Sequence, residues 1–398
     1  MEERKIKLMK YSFFHESKVK DQLIEFLRNA DRLSMWDECS KFEKEFSSFQ
    51  NRKFSTLVNS GSSANLALLQ AMLNLGLLKK GDKVAFTALT WATNVMPILQ
   101  LGLVPVPVDI EITTLNSSNK LFKEAIEKSN DEIKAFFITN VLGFCDDIDE
   151  IASTCKEKKI ILIEDNCESL GTVYKSKKLG NYGLASTFSF FVGHHLSAIE
   201  GGAICTDDEE LNNMLIMVRA HGWDRNLSPE GQKKLRSEHE IDPFYDQYTF
   251  YELAYNLRPT EITGFLASKQ LLYVEEIINK RAANFSLLHE AALHNPNIIH
   301  LEVGHLSQIS NFAFPVVFRE QESFEKYKTV FLKRGIEIRP IVGGNMVCQP
   351  FYKKYCDSSS YDIINAQIVH QNGFYLPNNP DLDADEINLL KNLLKENF

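Results

Sequence analysis

Between residues 54 and 206, short apolar runs rich in β-branched and aromatic residues alternate with helical patterns, and this alternation constrains the fold more than any other feature of the chain. FSTLV leads into the apolar helical pattern NLALLQAMLNLGLL. VAFTALTW and GLVPVPVDI flank a helical segment over Ala92–Leu101. KAFFITNVLG and KIILIEDNC flank the helical pattern DDIDEIASTCKEK, and ASTFSFF and GGAICTDD flank a loop. Continuous apolar runs of this length suit strands covered on both faces, so the order predicts an α/β fold with a mostly parallel sheet between helical layers. Residues 14–50 are charged and amphipathic, with Phe42, Phe46 and Phe49 at helical spacing, and read as helix. After about residue 215 long charged helices take over, and NFAFPVVF and KRGIEIRPI read as strands of a smaller α+β unit. The division falls within long helices near residues 255–285. Residues 1–260 then form a large α/β domain with an N-terminal helical segment, and residues 261–398 a small C-terminal α+β domain.

Composition excludes several function classes. A net charge of -9 argues against a nucleic-acid binder, which carries a basic face. The seven cysteines include no C-x-x-C pair, and the count is odd; neither a disulfide framework nor metal-ligand spacing is expected. MEERKIKLMKYSFF holds no apolar run suited to a signal peptide, and no stretch approaches the roughly 18 apolar residues of a membrane helix. A reducing cytoplasm is the expected location, with no metal, no membrane and no nucleic acid involved.

Three segments carry chemistry. NSGSSANL, residues 59–66, sits at a strand-to-helix turn, where Gly61, Ser62 and Ser63 leave backbone N–H groups for a phosphate at a helix N-terminus. Serines at such turns also serve as plain caps. IEDN places Asp165 at the C-terminal end of a buried strand, where open α/β sheets bind ligands. A carboxylate there can hold a pyridine nitrogen protonated, or simply cap a helix. SFFVGHHLSAIEGGAI, residues 189–204, puts His194 and His195 beside Glu-Gly-Gly in a loop between strands, and histidine exchanges protons near neutral pH. Trp91, at a strand end, suits stacking on a flat ring or packing in the core.

In this order and spacing FEKEF, NSGSSANL, GDKVAFTALTWAT, GLVPVPVDI, IEDNCESLG, EGGAI, RAHG and YNLRPTEI resemble the DegT/StrS-type sugar aminotransferases, fold-type I pyridoxal-phosphate (PLP) enzymes, over nearly the whole chain. The resemblance implies a large domain with a mostly parallel seven-stranded sheet, a smaller C-terminal domain, and a homodimer with shared active sites. In that family a lysine five positions after the serine of the SF motif holds the cofactor covalently. Here that position is His194. Imidazole cannot form that link, so the cofactor would be bound non-covalently, as PLP and its amine, pyridoxamine phosphate (PMP).

Histidine in this place resembles the dehydratase branches of the family, which remove the C-3 hydroxyl of a nucleotide-linked 4-keto-6-deoxyhexose at the expense of L-glutamate, in lipopolysaccharide or related glycan synthesis. One branch uses GDP sugars. Another uses CDP sugars and an iron–sulfur cluster held by cysteines after the histidine loop. No cysteine lies between Cys205 and Cys348, so no such cluster is expected. IEDNC is nearer to the iron–sulfur branch, which leaves GDP and CDP both open.

By motif position, the resemblance implies that His194 moves the proton and that Asp165 meets the ring nitrogen. Ser62, Ser63, Ser189 and the Gly61 backbone bind phosphate, and Trp91 stacks on the ring. Glu168 stands where relatives carry His or Gln near the ring hydroxyl. Asn256 reaches the phosphate of the neighbouring subunit, while His221, Arg225 and Arg258 are candidate substrate contacts. His195 is read as a supporting residue. The rivals are a sugar aminotransferase using Lys175, Lys177 or Lys178, and a non-catalytic PLP-binding protein.

Overall fold

A computed structural model describes residues 5–357 and 361–398; the first four residues of the N-terminal segment considered above lie outside the described residues. Two amphipathic helices, α1 (Glu16–Asn29) and α2 (Asp37–Gln50), open the fold. Phe42 and Phe46 of α2 are fully buried against Phe188 and Phe190, as their helical spacing predicts.

The alternating segment forms β1 (Phe54–Val58), α3 (Gly61–Asn74), β2 (Lys83–Thr87), α4 (Met96–Gln100), β3 (Val104–Val108), α5 (Asn119–Lys128), β4 (Ile133–Thr139), α6 (Ile148–Lys158) and β5 (Ile161–Asp165). A short hairpin, β6 (Val173–Tyr174) and β7 (Lys177–Lys178), precedes β8 (Ala185–Ser189) and β9 (Gly202–Thr206). Seven of these strands form one sheet in the order β1-β9-β8-β5-β4-β2-β3, parallel except for β9, which runs antiparallel to both neighbours. Its buried strands are sandwiched between apolar layers, which is why their sequences read as continuous apolar runs. Ala92–Leu101 differs from the single helix expected: a 3-10 turn over Ala92–Asn94 gives way to α4, with Pro97 in the first turn, where its missing N–H costs nothing.

Beyond the sheet come α7 (Glu209–Arg219), α8 (Pro229–Glu238), α9 (Glu261–Leu271) and α10 (Val274–Ala292). The long charged stretch is thus two helices broken at Leu272–Tyr273; α9 lies against α2, and α10 against the C-terminal helix. A second antiparallel sheet, β11-β13-β12, is built from β11 (Ala313–Val317), β12 (Arg339–Pro340) and β13 (Gly373–Pro377), while β10 (Leu306–Gln308) pairs with β6. Helices α11 (Gln321–Lys333), α12 (Pro350–Tyr355), α13 (Ile364–Asn372) and α14 (Ala384–Lys395) complete the chain. KRGIEIRPI contributes only two residues of strand; Ile336 instead bridges Ile6 of the N-terminal segment. No helix among the described residues is long and apolar enough to cross a membrane.

Candidate active site

The C-terminal ends of β2, β4, β5 and β8 open onto a cavity of about 370 Å³, within the range of small-molecule sites. Gly61, Ser62, Trp91, Asp165, Glu168, Ser189 and His194 all line it. The sequence scatters these residues over more than a hundred positions; the parallel sheet collects them at one edge.

Along β5 the side chains alternate, so neighbouring carboxylates face opposite ways. Glu164 turns away from the cavity and accepts the backbone N–H groups of Gly180 (2.6 Å), Tyr182 (2.7 Å) and Gly183 (2.8 Å). Asp165 faces the cavity. Its Oδ2 accepts from the amides of Asn65 (3.0 Å) and Asn94 (2.7 Å), and its Oδ1 from the Cys167 backbone N–H (2.8 Å). Three donors fix its orientation, and it serves no helix as a cap. Asn65 and Asn94 were not singled out in the sequence; buried asparagines in a helix and a turn carry no signature until the carboxylate between them is placed.

The N-terminus of α3, the helix that also supplies Asn65, lines the same cavity. Ser60 caps it, accepting from the Ser63 N–H (3.1 Å), and the two hydroxyls lie 3.0 Å apart. Ser63 is therefore engaged in the cap and does not line the cavity, whereas Ser62 is exposed towards it. A Cβ on Gly61 would sit 2.6 Å from the Ser189 Cβ and 3.1 Å from the Cys167 Sγ. A Cβ on Gly202, the second glycine of Glu-Gly-Gly, would sit 2.4 Å from the Ser60 backbone. These two close approaches bring the helix N-terminus beside Ser189, giving free N–H groups, a favourable dipole and two hydroxyls: a fitting anion cradle.

Between cradle and carboxylate lie Trp91, Glu168 and His194. Trp91 is 53% exposed, so it is not a core residue. Glu168 accepts the N–H of Leu142 (2.9 Å), which occupies a left-handed backbone conformation (φ 48) after β4. Burial pushes its carboxyl up to about 8; the Leu142 N–H opposes the shift and Asp165 adds to it, leaving a neutral acid at pH 7. His194 sits on the turn between β8 and β9, its ring against that of Phe312 (centroids 5.0 Å apart, 27° between planes). Its Nδ1 is buried without a hydrogen-bond partner. Burial holds the imidazole down at about 4; the Ser189 backbone carbonyl pulls the other way and the Arg281 guanidinium reinforces burial. The ring is thus neutral at pH 7, as a proton acceptor must be. His195, fully buried behind it, has neither ring nitrogen paired and is likewise held neutral by burial.

The remaining candidates lie elsewhere. His221, Arg225 and Arg258 gather round Trp223, with the His221 ring 4.8 Å from it and the guanidiniums 3.9 and 5.5 Å away. Asn256 accepts from Arg258 Nε (3.0 Å). None of these four lines the cavity of its own chain. Lys175 pairs with Asp149, Lys178 binds the Phe49 carbonyl, and Lys177 lies over the Tyr182 ring, so the three rival lysines belong to the surface hairpin. Among the described residues, no lysine lines the cavity. The small sheet contributes Arg339, Tyr375 and, just before β11, Phe312, all unforeseen from sequence because no local motif marks them.

The arrangement fits PLP at both ends: an anion cradle for its phosphate and a fixed carboxylate for its ring nitrogen, with no amine to bind it covalently. Comparison with known proteins agrees. The profile of the DegT/DnrJ/EryC1/StrS aminotransferase family matches residues 15–394. GDP-4-keto-6-deoxy-D-mannose 3-dehydratase of Yersinia pseudotuberculosis is 34% identical over 379 residues, covering 94% of each chain. Among solved structures, a variant of GDP-4-keto-6-deoxymannose-3-dehydratase with bound GDP-perosamine superposes with a TM-score of 0.89 at 31% identity, over 98% of this chain and 100% of the other. The same enzyme with a trapped PLP–glutamate geminal diamine gives 0.87 at 30% identity, over 98% and 100%. The fold is that of the PLP-dependent aminotransferases, and the chain belongs to the DegT/DnrJ/EryC1/StrS aminotransferase family.

Proposed function

We propose that this protein is a PLP/PMP-dependent 3-dehydratase of a nucleotide-linked 4-keto-6-deoxyhexose, with L-glutamate as amino donor. The observation that carries the reading is a half-buried imidazole, its charged form disfavoured by desolvation, at the position where the family's lysine stands, in a cavity that also holds the strand-end carboxylate and the anion cradle of the cofactor site. The net reaction converts the sugar and glutamate into the 3-deoxy-4-keto sugar, 2-oxoglutarate and ammonia. The GDP sugar is the first choice of substrate, by likeness to the relatives, and the CDP sugar the alternative.

When bound, the cofactor supplies an amine that links to the 4-keto carbon and a pyridine ring that takes up electrons. Asp165 meets the ring nitrogen. Ser62, Ser189 and the α3 N-terminus would hold the phosphate, with Ser60 capping that N-terminus on the Ser63 N–H. Trp91 lies against the ring, and Glu168, as a neutral acid, can donate a hydrogen bond to the ring hydroxyl. His194 would accept on its imidazole the proton given up by the cofactor's C-4′ carbon and deliver it to the departing C-3 hydroxyl, which leaves as water. A lysine there could return the proton to C-4 instead and give an aminosugar, so this one position separates elimination from transamination. Arg339 lines the same cavity and suits the carboxylate of glutamate.

A homodimer completes the proposal. Trp91, Phe191 and Ile199 at the cavity mouth are 53%, 41% and 48% exposed, and Phe244 and Leu253 are 82% and 75% exposed. Apolar surface on this scale suits a partner subunit. Asn256 then reaches the partner's phosphate, and His221, Arg225 and Arg258 meet the nucleotide sugar across the interface. The enzyme works in the cytoplasm.

The test is incubation with PLP, L-glutamate and a panel of GDP- and CDP-4-keto-6-deoxyhexoses, with mass spectrometry of the sugar and an enzymatic ammonia assay. A 3-deoxy product with ammonia and 2-oxoglutarate is expected. An aminosugar product would overturn the role of His194, and bound cofactor without any spectral response to glutamate would favour a non-catalytic protein.

A further inference from the structure

Arg281 projects from α10 into the interior and is only 5% exposed. Its Nη1 donates to the carbonyls of Phe312 (2.8 Å) and Asn378 (2.7 Å), and its Nη2 to the carbonyl of His194 (3.2 Å). One guanidinium therefore ties the turn carrying His194 to the backbone of Phe312, the residue whose ring lies against the imidazole. Among the described residues it forms no ion pair within 4.0 Å, and its Nε has no partner. Burying a cation is costly, and Asp381 offsets it only in part. Three carbonyls in this arrangement need the guanidinium fork, since a side-chain amide has only two N–H donors. The positive charge also adds, after burial, to disfavouring a charged imidazole beside it.

We infer that Arg281 is a positioning residue for His194, fixing the ring through its own carbonyl and that of Phe312. The inference rests on the reading of His194 as the proton carrier. The groups facing the turn bear on the charge argument. Asp165 and Glu168 stand across the cavity, Glu168 as a neutral acid. His195 is the next residue. Lys10 and Asp381 line a small, partly open pocket of about 40 Å³ beside the turn, together with both histidines and Arg281. Lys10 is engaged by Glu386 (2.5 Å) and by the Asp381 carbonyl (2.8 Å). The pocket has room for a water molecule, which would satisfy the Arg281 Nε–H and a His195 nitrogen.

The test compares R281K, which keeps the charge but not the planar fork, with R281Q, which loses both. In cofactor-free protein with 15N-labelled histidine, the His194 signal is identified by its loss in H194N. That signal is expected to stay in the neutral form from pH 8 to pH 5.5 in the wild type and in both variants, because burial is the main cause of the lowered pKa, while its chemical shift moves in both variants as the ring is released from Phe312. With cofactor and sugar, kcat is expected to fall roughly 10- to 100-fold in both variants while KM for the sugar stays within about twofold. If both variants fold and kcat stays within about twofold of wild type, or if the loss falls on KM, Arg281 has no positioning role. If R281Q does not fold, R281K alone decides by the kcat-against-KM split. Undiminished dehydration by H194N would remove the reading of His194 itself, whatever the Arg281 variants do.

Discussion

Replacing Gly61 by alanine adds one methyl group at a close contact in the cofactor cradle. The new Cβ would lie 2.6 Å from the Ser189 Cβ and 3.1 Å from the Cys167 Sγ, so the α3 N-terminus and β8 must separate by several tenths of an ångström. Overpacking of this kind costs about 1–3 kcal/mol. Alanine in the first turn of a helix recovers up to about 1 kcal/mol over glycine. A 2.6 Å contact calls for the upper part of the overpacking range, about 2–3 kcal/mol; less the recovered amount of about 1 kcal/mol, the net loss of about 1–2 kcal/mol, where it falls on the geometry of the phosphate site, corresponds to roughly 5- to 30-fold weaker PLP binding. Equilibrium titration of PLP, followed by its absorbance, measures this, and thermal unfolding of the cofactor-free protein measures the strain. A double variant discriminates the cause. G61A/S189G removes the obstructing Cβ and should be as stable as S189G alone, whereas G61A/S189A keeps that Cβ and should remain destabilised. Unchanged PLP affinity together with unchanged or raised thermal stability in G61A would refute the close-packing argument.

Other perturbations probe the carboxylates and the imidazole. E164Q should lower stability by about 2–3 kcal/mol in urea unfolding, because an acceptor-only carboxylate serving three backbone donors is replaced by a group that is half donor; a loss under about 0.5 kcal/mol would contradict it. E168Q should keep kcat within about threefold at pH 7, since Glu168 with a pKa near 8 is already a neutral acid, whereas E168A leaves the Leu142 N–H unpaired and should cost about 1–3 kcal/mol of stability. With its folded pKa raised, Glu168 contributes stability that is complete below the ordinary carboxyl range and declines as pH rises through about 8; E168Q should remove that decline in urea midpoints taken from pH 5 to pH 9. His194 acts in the opposite sense. Its pKa falls from 6.5 to about 4 on folding, so the unfolded chain binds more protons between those values and stability rises with pH across them. Unfolding midpoints at pH 4.5, 5.5 and 6.5 should rise less steeply in H194N, and identical slopes would exclude an imidazole whose pKa falls on folding.

Much of this protein was legible before any coordinates. Alternation of apolar runs fixes a mostly parallel sheet, because strands covered on both faces must be apolar throughout. Histidine at position 194 decides that a covalent link is chemically impossible there, whatever the fold. The seven cavity-lining candidates were recoverable because each lies at, or a few residues past, the C-terminal end of a strand, where local motif and position in the sheet coincide. Local pattern misled where it was weakest: Pro97 begins a short helix after a 3-10 turn within Ala92–Leu101, and KRGIEIRPI yields two residues of strand because Ile336 pairs with the N-terminal segment.

Tertiary structure alone decided the environment of each group. Strand alternation sends Glu164 into a nest of backbone donors and Asp165 into the cavity, but only the packed structure brings Asn65 and Asn94, 100 and 71 residues away, onto that carboxylate. It engages Ser63 in a cap, ties Glu168 to a left-handed turn, and carries Arg281 across 87 residues of chain to the carbonyl of His194. Sequence sets which atoms can ionise and roughly where along the sheet they stand. Burial, unpaired nitrogens and neighbouring charges set whether they do, and these depend on contacts between residues far apart in the chain, which no local pattern encodes.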